Sequence, residues 1–514
     1  MQPAKRVAVN TGILYAKMAI TVFISLYATR LILAALGAED YGIFNVVGGA
    51  IAMLTFLNIA MASASQRFMS FAQGEGDEQK QKYIFNVSIT LHFLIAIVIF
   101  LLLQVAGYFL FNGILEIPEK RMDIAKLLFQ FMLVSTFFTI VSVPYDAVLN
   151  AHENMLFVAI LGIIESVLKL AIAIYVTYTA FDQLLTFGIL MVSLPIFLLV
   201  LRSSYCHRKY EEVELAPRKY YNKHLFEEMT SFASWALLSS AASIVAMQGI
   251  TIILNSFFGV IVNAAQGIAN QVSGQLSAFS NTMLKALNPV IVKSEGAKNR
   301  DQMLRASLTG NKVSFFLLAF FAVPVIIEMP FILDIWLKDV PEYAIIFCRL
   351  SLIRACIEQL TITFGTAIGA TGRIKQVSIW NSITYGALLP ATYIAFKAGA
   401  SPEAVYINLI CIVVALAIIK VYFTWRLCGL KLKRFFADVL MRSLLTTFFA
   451  AVLAHTPLLI LDESFIRLGM VCLFSATTFL ALLFMVGLEN DEKQLILSAY
   501  RSVIAKIRSK SRNS

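Results

Sequence analysis

Apolar runs of about 20 or more residues recur along almost the whole chain, and no other feature limits the fold as strongly. Each run is long enough to cross ~30 Å of hydrocarbon as a helix. A backbone exposed to lipid has to satisfy its own hydrogen bonds, so segments of this length are helices rather than strands. Composition agrees. Of 514 residues, 59% are hydrophobic and 14% charged, and the mean hydropathy is +0.78. A water-soluble chain of this length needs far more polar surface. The expected fold is all-α, a polytopic membrane protein.

About fourteen spans are predicted, near 8–36, 41–64, 84–112, 123–149, 155–181, 183–205, 229–256, 259–291, 307–337, 342–370, 375–397, 402–425, 440–461 and 466–488. The basic start, MQPAKRVAVNTGILYAK, runs into the first span with no small-residue cleavage site, so it does not read as a removable signal. Cys206, Cys348, Cys356, Cys411, Cys428 and Cys472 form no CxxC and read as buried free thiols. The five histidines lack HExxH spacing and give no metal site.

Lys and Arg alternate between loops. With the N-terminus inside, the inner loops and tails carry about 28 of them and the outer loops about 5, which predicts both termini on the cytoplasmic side. The net charge of +11 then lines one membrane face. Membrane lipids, anionic ones above all, are the expected partners; with no reading module, nucleic acid is not. The inner loop near 206–228 bisects the first twelve spans. The predicted domains are a six-helix lobe (1–206), a cytoplasmic interlobe loop (207–228), a second six-helix lobe (229–428), an extra helix pair (429–488) and a basic cytoplasmic tail (489–514). An offset of 222 residues pairs Gly37 with Gly259 and Gly74 with Gly296. A parallel repeat about the membrane normal is a transporter architecture, with the substrate site between the halves.

Ionisable groups inside spans are functional candidates, because lipid-facing ones are selected against. GIIESVLKLAIAI (Gly162–Ile174) places Glu165 and Lys169 four residues apart on one helix face. Arg354 and Glu358 repeat that spacing in span 10. Both pairs read either as structural ion pairs or as part of ion coupling. Arg30, about two turns from the outer end of span 1, either snorkels or grips an anion with its planar fork. Lys17 projects from a different face of that span, and Lys285 sits near the inner end of span 8; each is a head-group contact or a snorkelling side chain. Gln248, Asn255, Asn263, Gln266 and Asn270, followed by Gln271, Gln275 and Asn281, make spans 7 and 8 unusually polar. Amides at this density suit a wet, sugar-facing wall, or else hydrogen bonding between helices.

ATRLILAALGAEDYGIFNVVGG (Ala28–Gly49) resembles the start of a polysaccharide (O-antigen type) flippase of the multidrug/oligosaccharidyl-lipid/polysaccharide exporter superfamily. Arg30, Gly37, Asp40, Tyr41 and Gly42 carry the likeness. LNPVIVKSEG (Leu287–Gly296) and GATGRIKQVSIWNS (Gly369–Ser382) are weaker echoes. The resemblance implies two six-helix lobes around a central cavity lined by spans 1, 2, 7 and 8. It also implies alternating-access movement of a polyprenyl-diphosphate-linked oligosaccharide from the inner to the outer leaflet of a bacterial inner membrane. Lipid-linked oligosaccharide and other proteins of polysaccharide or lipopolysaccharide assembly are the implied partners. No cofactor is implied, and coupling to Na+ or H+ through Glu165 or Glu358 stays open. Spans 13 and 14 exceed the twelve-helix pattern; the lipid II flippase branch carries a similar pair.

Two rivals stand beside this reading. A multidrug or cation antiporter of the same superfamily would want carboxylates in the cavity, whereas spans 1, 2, 7 and 8 offer Lys17, Arg30 and Lys285. A membrane glycan polymerase or ligase would want a sizeable outer loop, and GAED, NSFFG, KDVPE, KAGASPE and LDES are short. Without a GxxxxGK[ST] motif, the chain is not expected to be an ATP-hydrolysing enzyme.

Overall fold

The computed structural model describes residues 3–52, 56–114, 117–337, 339–489 and 492–493, so most of the predicted basic tail lies outside it. The described residues form helices and no strand. In order they are α1 (Pro3–Ala52), α2 (Phe56–Glu75), α3 (Glu78–Phe109), α4 (Glu119–Ala151), α5 (Met155–Tyr178), α6 (Gln183–Lys209), α7 (Lys223–Gly296) and α8 (Arg300–Ile327). There follow α9 (Met329–Trp336), α10 (Ala344–Gln359), α11 (Ile362–Ala370), α12 (Lys375–Lys397), α13 (Ala404–Phe423), the single turn α14 (Leu432–Arg434), α15 (Arg442–Ala454) and α16 (Phe465–Leu482). Ten stretches among the described residues are long and apolar enough to cross a membrane. The chain is an all-α, multi-pass membrane protein.

The ten stretches take spans 7 and 8 together and leave out spans 2, 10 and 11. α7 is two helices, spans 7 and 8, that meet at a kink at Gly259 (φ 78°, ψ −172°). α1 likewise is two helices, span 1 and the start of span 2, that meet at a kink at Gly37 (φ 72°, ψ 173°). Both conformations lie in the positive-φ region that glycine alone enters without strain. The two glycines stand at the predicted 222-residue offset and share one backbone shape. Span 10 is split between α10 and α11 by Thr361, whose φ of −135° is not helical, and span 9 is split by Glu328 between α8 and α9. Span 11 keeps its predicted limits as α12.

The chain divides into two compact units. One holds residues 7–241 with 292–299; the other holds Ala242–Ile291 and the chain from Arg300 onward, together with the first six residues. The boundary therefore falls inside α7.

In the first unit α4 packs on α2, α3 and α6 around Val47, Leu103, Phe129, Leu133 and Phe187. The segment after α6 is pinned to α3. Asn86 donates through Nδ2 to the carbonyl of Glu214 (2.8 Å) and accepts at Oδ1 from the amide of Ala216 (2.8 Å), while Tyr83 meets Tyr220 edge to face. The end of α7 crosses the end of α2 at a pair of glycines. A Cβ on Gly74 would overlap the carbonyl of Lys293, and one on Gly296 would overlap the carbonyl of Phe71. Lys293 is itself 222 residues beyond Phe71, so each contact is the image of the other under the repeat.

In the second unit Ile250, Leu254, Ala265, Phe347, Leu352 and Tyr406 form the main core. The extra pair, α15 and α16, packs on α8 through Phe316, Ala319, Ala450 and Phe479. Buried charges fasten it at both ends. Lys312, 1% exposed, reaches Glu489 (3.2 Å) and Glu492 (2.7 Å). Glu328, fully buried, accepts two hydrogen bonds of 2.9 Å from the Arg467 guanidinium. Three of the six thiols, Cys206, Cys348 and Cys428, are buried as expected; Cys411 and Cys472 are exposed on helix faces and Cys356 is intermediate.

Candidate functional site

A cluster of charge lies among α1, α4, α5 and α6 of the first unit. Asp146 follows Pro144 in α4, and its Oδ1 sits 3.0 Å from Nε of Arg202 on α6. Arg202 also donates through a terminal nitrogen to the Ser142 hydroxyl (2.8 Å). Glu165 and Lys17 are close enough to act on the Asp146 carboxylate electrostatically. Lys17 reaches the cluster because Gly162 has no side chain; a Cβ there would overlap the end of the lysine. The same stretch of α5 therefore supplies both the opening for Lys17 and the Glu165–Lys169 pair, which closes at 2.7 Å.

The cluster holds two carboxylates and three cations. It is open: the Asp146 side chain keeps 38% of its surface exposed, and Glu165 and Lys169 keep 39% and 42%. The expected face difference between Lys17 and Arg30 is seen. Lys17 turns toward α5, whereas Arg30 lies on an exposed stripe of α1 with Phe23 and Tyr27 and has no side-chain partner among the described residues.

A second cluster sits in the other unit. Arg354 and Glu358 pair at 3.4 Å on α10. Lys420 of α13 and Tyr385 of α12 are near enough to interact electrostatically with Glu358, and Tyr385 and Tyr406 with Arg354. Arg349 is spent otherwise, donating to the carbonyl of Ile326 (2.9 Å) near the end of α8.

The amides of α7 divide by face. Beyond Gly259, an exposed stripe carries Asn270, Gln271, Gln275, Asn281 and Lys285. Gly267 and Gly274 lie in the same stripe with open space above them. None of the five polar side chains has a hydrogen-bond partner among the described residues, so the stripe is not built from hydrogen bonds between helices. Gln248 and Asn255, before the glycine, are also exposed. Gln266 differs: it is 2% exposed, on the packed side of α7 with Ala265 and Ala269. Asn263 is partly buried, and its Oδ1 has no partner. The wall-lining expectation thus separates into residues on open faces and two residues, Asn263 and Gln266, turned toward the packed face.

Asp40 of the sequence motif has a structural task. It is 5% exposed and accepts from Arg121 at the start of α4 (2.8 Å); the same guanidinium reaches Asp182, which caps α6. Sequence reasoning missed Asp146 and Arg202. Both sit within two or three turns of a span end, where a charge reads as interfacial. The signal available was Pro144 two residues before Asp146 in a span that otherwise lacks mid-length charge.

The MatE family model matches residues 15–175. A search of curated proteins returns no significant match. Among solved structures, a MATE in the bent conformation superposes with a TM-score of 0.72 at 14% identity, covering 84% of this chain and 96% of its own. An outward-facing multidrug resistance MATE family transporter of the MOP superfamily gives 0.71 at 14% identity, over 84% and 97%. A MOP superfamily transporter from Pyrococcus furiosus, described as having a binding pocket of reverse polarity, gives 0.69 at 14% identity, over 83% and 96%. This chain has the MATE transporter fold.

Proposed function

We propose that the chain is a transporter, not an enzyme, that moves an anionic, hydroxyl-rich substrate of the lipid-linked oligosaccharide class across a bacterial inner membrane, with both termini cytoplasmic. The observation that carries this reading is the set of unpartnered polar groups on open helix faces: Arg30 on α1, and Asn270, Gln271, Gln275, Asn281 and Lys285 on α7. Guanidinium and ammonium groups suit a diphosphate, and amides offer sugar hydroxyls both donors and acceptors. The carboxylates of the two charged clusters are already matched by cations, Asp146 by Arg202, Glu165 by Lys169 and Glu358 by Arg354. An inside-negative potential favours expulsion of an anion by ~2.3 kcal/mol per charge per 100 mV, roughly 4–5 for a diphosphate. The openness of Asp146 and Glu165 also suits ion coupling, by Na+ or H+.

A second reading is a multidrug or cation exporter. The MatE match and the fold of a multidrug resistance relative favour it. Within the same fold, the Pyrococcus furiosus transporter described as having reversed pocket polarity is a precedent for the first reading. Reconstitution separates the two. Proteoliposomes should move a fluorescent lipid-linked saccharide between leaflets and should not expel a cationic dye. Arg30→Ala should abolish that movement, while Arg30→Lys should keep part of it. Dye efflux by the wild type, or full saccharide movement by Arg30→Ala at equal protein level, would rule against the assignment.

A further inference from the structure

We infer that a cleft between the start of α8 and the turn joining α13 to α14 is a binding site for the head group of an anionic phospholipid. The cleft encloses about 170 Å³ and is lined by Asp301, Leu304, Arg305, Leu308, Gly429, Leu430, Lys431 and Arg434. A liquid water occupies ~30 Å³, so the space accommodates a phosphate with part of its head group. Arg305, Lys431 and Arg434 make no ion pair or side-chain hydrogen bond with any described residue. Elsewhere in this unit, intramembrane and buried cations such as Lys312, Arg354 and Arg467 are matched by carboxylates. Three cations without ion pairs face one hollow that holds a single carboxylate, Asp301, so its field is net positive.

The lining sorts into layers that fit a phospholipid. Leu430 is 2% exposed and, with Leu304 and Leu308, forms an apolar floor. The two arginines present planar forks suited to phosphate oxygens. Asp301 completes the rim. A carboxylate there repels a phosphate dianion but accepts hydrogen bonds from head-group hydroxyls, so the lining fits a singly charged phosphodiester with hydroxyls beside it, as in phosphatidylglycerol. Depth also fits. Tyr422 and Trp425, one to three turns before Lys431, are 44% and 49% exposed, and Arg426 donates to the Tyr422 hydroxyl (3.2 Å). Exposed Tyr and Trp mark the level of lipid head groups, and basic pockets between helices at that level hold anionic lipids.

Native mass spectrometry of the purified full chain tests this, with phosphatidylglycerol, phosphatidylcholine or inorganic phosphate added in separate arms. The wild type should retain phosphatidylglycerol in preference to phosphatidylcholine. Each of Arg305→Gln, Lys431→Gln and Arg434→Gln should weaken retention about fivefold, and the triple variant should erase the preference. Lys433→Gln, an exposed cation outside the cleft, should leave it intact. The three single variants decide the matter if the triple variant fails to fold. The assignment falls if the singles retain phosphatidylglycerol like the wild type, or if Lys433→Gln weakens it as much as they do. It also falls if millimolar inorganic phosphate displaces the lipid, since the cleft would then be a free-phosphate site.

Discussion

Replacing Gly296 by alanine puts a methyl group onto the carbonyl of Phe71, and replacing Gly74 puts one onto the carbonyl of Lys293. Neither obstacle is a side chain that could rotate away. To restore ordinary contact at 3.4 Å, the two helix ends would have to part by roughly 1 Å, and overpacking of this kind costs about 1–3 kcal/mol. A carbonyl fixed in a helix belongs near the top of that range. Alanine returns up to ~1 kcal/mol in helix propensity, so each single substitution should destabilise by about 2 kcal/mol. The double substitution should cost about 2–3 kcal/mol rather than the sum, because parting the crossing for one methyl makes room for the other. Gly386→Ala in α12 is the reference: its Cβ meets nothing within 4 Å, and it should be neutral or stabilising by up to ~1 kcal/mol. Thermal unfolding of the detergent-purified protein reads the order, with Gly386→Ala melting at or above the wild type and both crossing variants clearly below it. Gly296→Ala melting level with Gly386→Ala, or strictly additive effects in the double variant, would show that the helices do not approach this closely.

Two further outcomes can be checked. Arg467→Ala strands the fully buried Glu328 and should cost about 3 kcal/mol, the low end for a broken buried pair, because the pair lies at helix ends; Glu328→Met with Arg467→Met should recover much of the loss in the same melting assay. Protection from hydrogen exchange across residues 210–222, measured against the intrinsic rate at each pH, should fall in acid. The Tyr220 hydroxyl and Lys219 hold the Glu214 carboxyl below its ordinary 4.5, so its contribution is complete above that value and is lost as pH falls through the depressed one. Tyr220→Phe, by removing the leading cause, should move the loosening to higher pH.

Much of the fold was legible because it rests on length and hydropathy, which are local. Span limits such as 375–397 follow directly. The repeat was readable from two glycine pairs, since glycine is the one residue whose identity reports backbone shape. Helix limits were less legible: spans 9 and 10 are broken at Glu328 and Thr361, residue types that do not by themselves signal a break. For the candidate site residues the sequence offers type and not direction. Gln266 and Asn270 differ by four positions, yet one is packed and the other open, because α7 twists its faces against neighbours that the sequence does not specify. Asp146, Lys312 and Glu328 escaped notice for a related reason. Their partners lie on other helices, at separations of 56 (Arg202), about 180 (Glu492) and about 140 (Arg467) residues, and only the pairing tells a functional or fastening charge from an interfacial one.

The charges that fasten α15 and α16 to α8 bear on how the protein is made. Lys312 and Glu328 are translated long before Glu492 and Arg467, which follow them by 180 and 139 residues. At ~5–20 residues per second, α8 waits roughly 10–30 s with a buried cation and a buried anion unanswered. During that interval it is poorly suited to lipid, so its final seating in the bilayer awaits the arrival of α16.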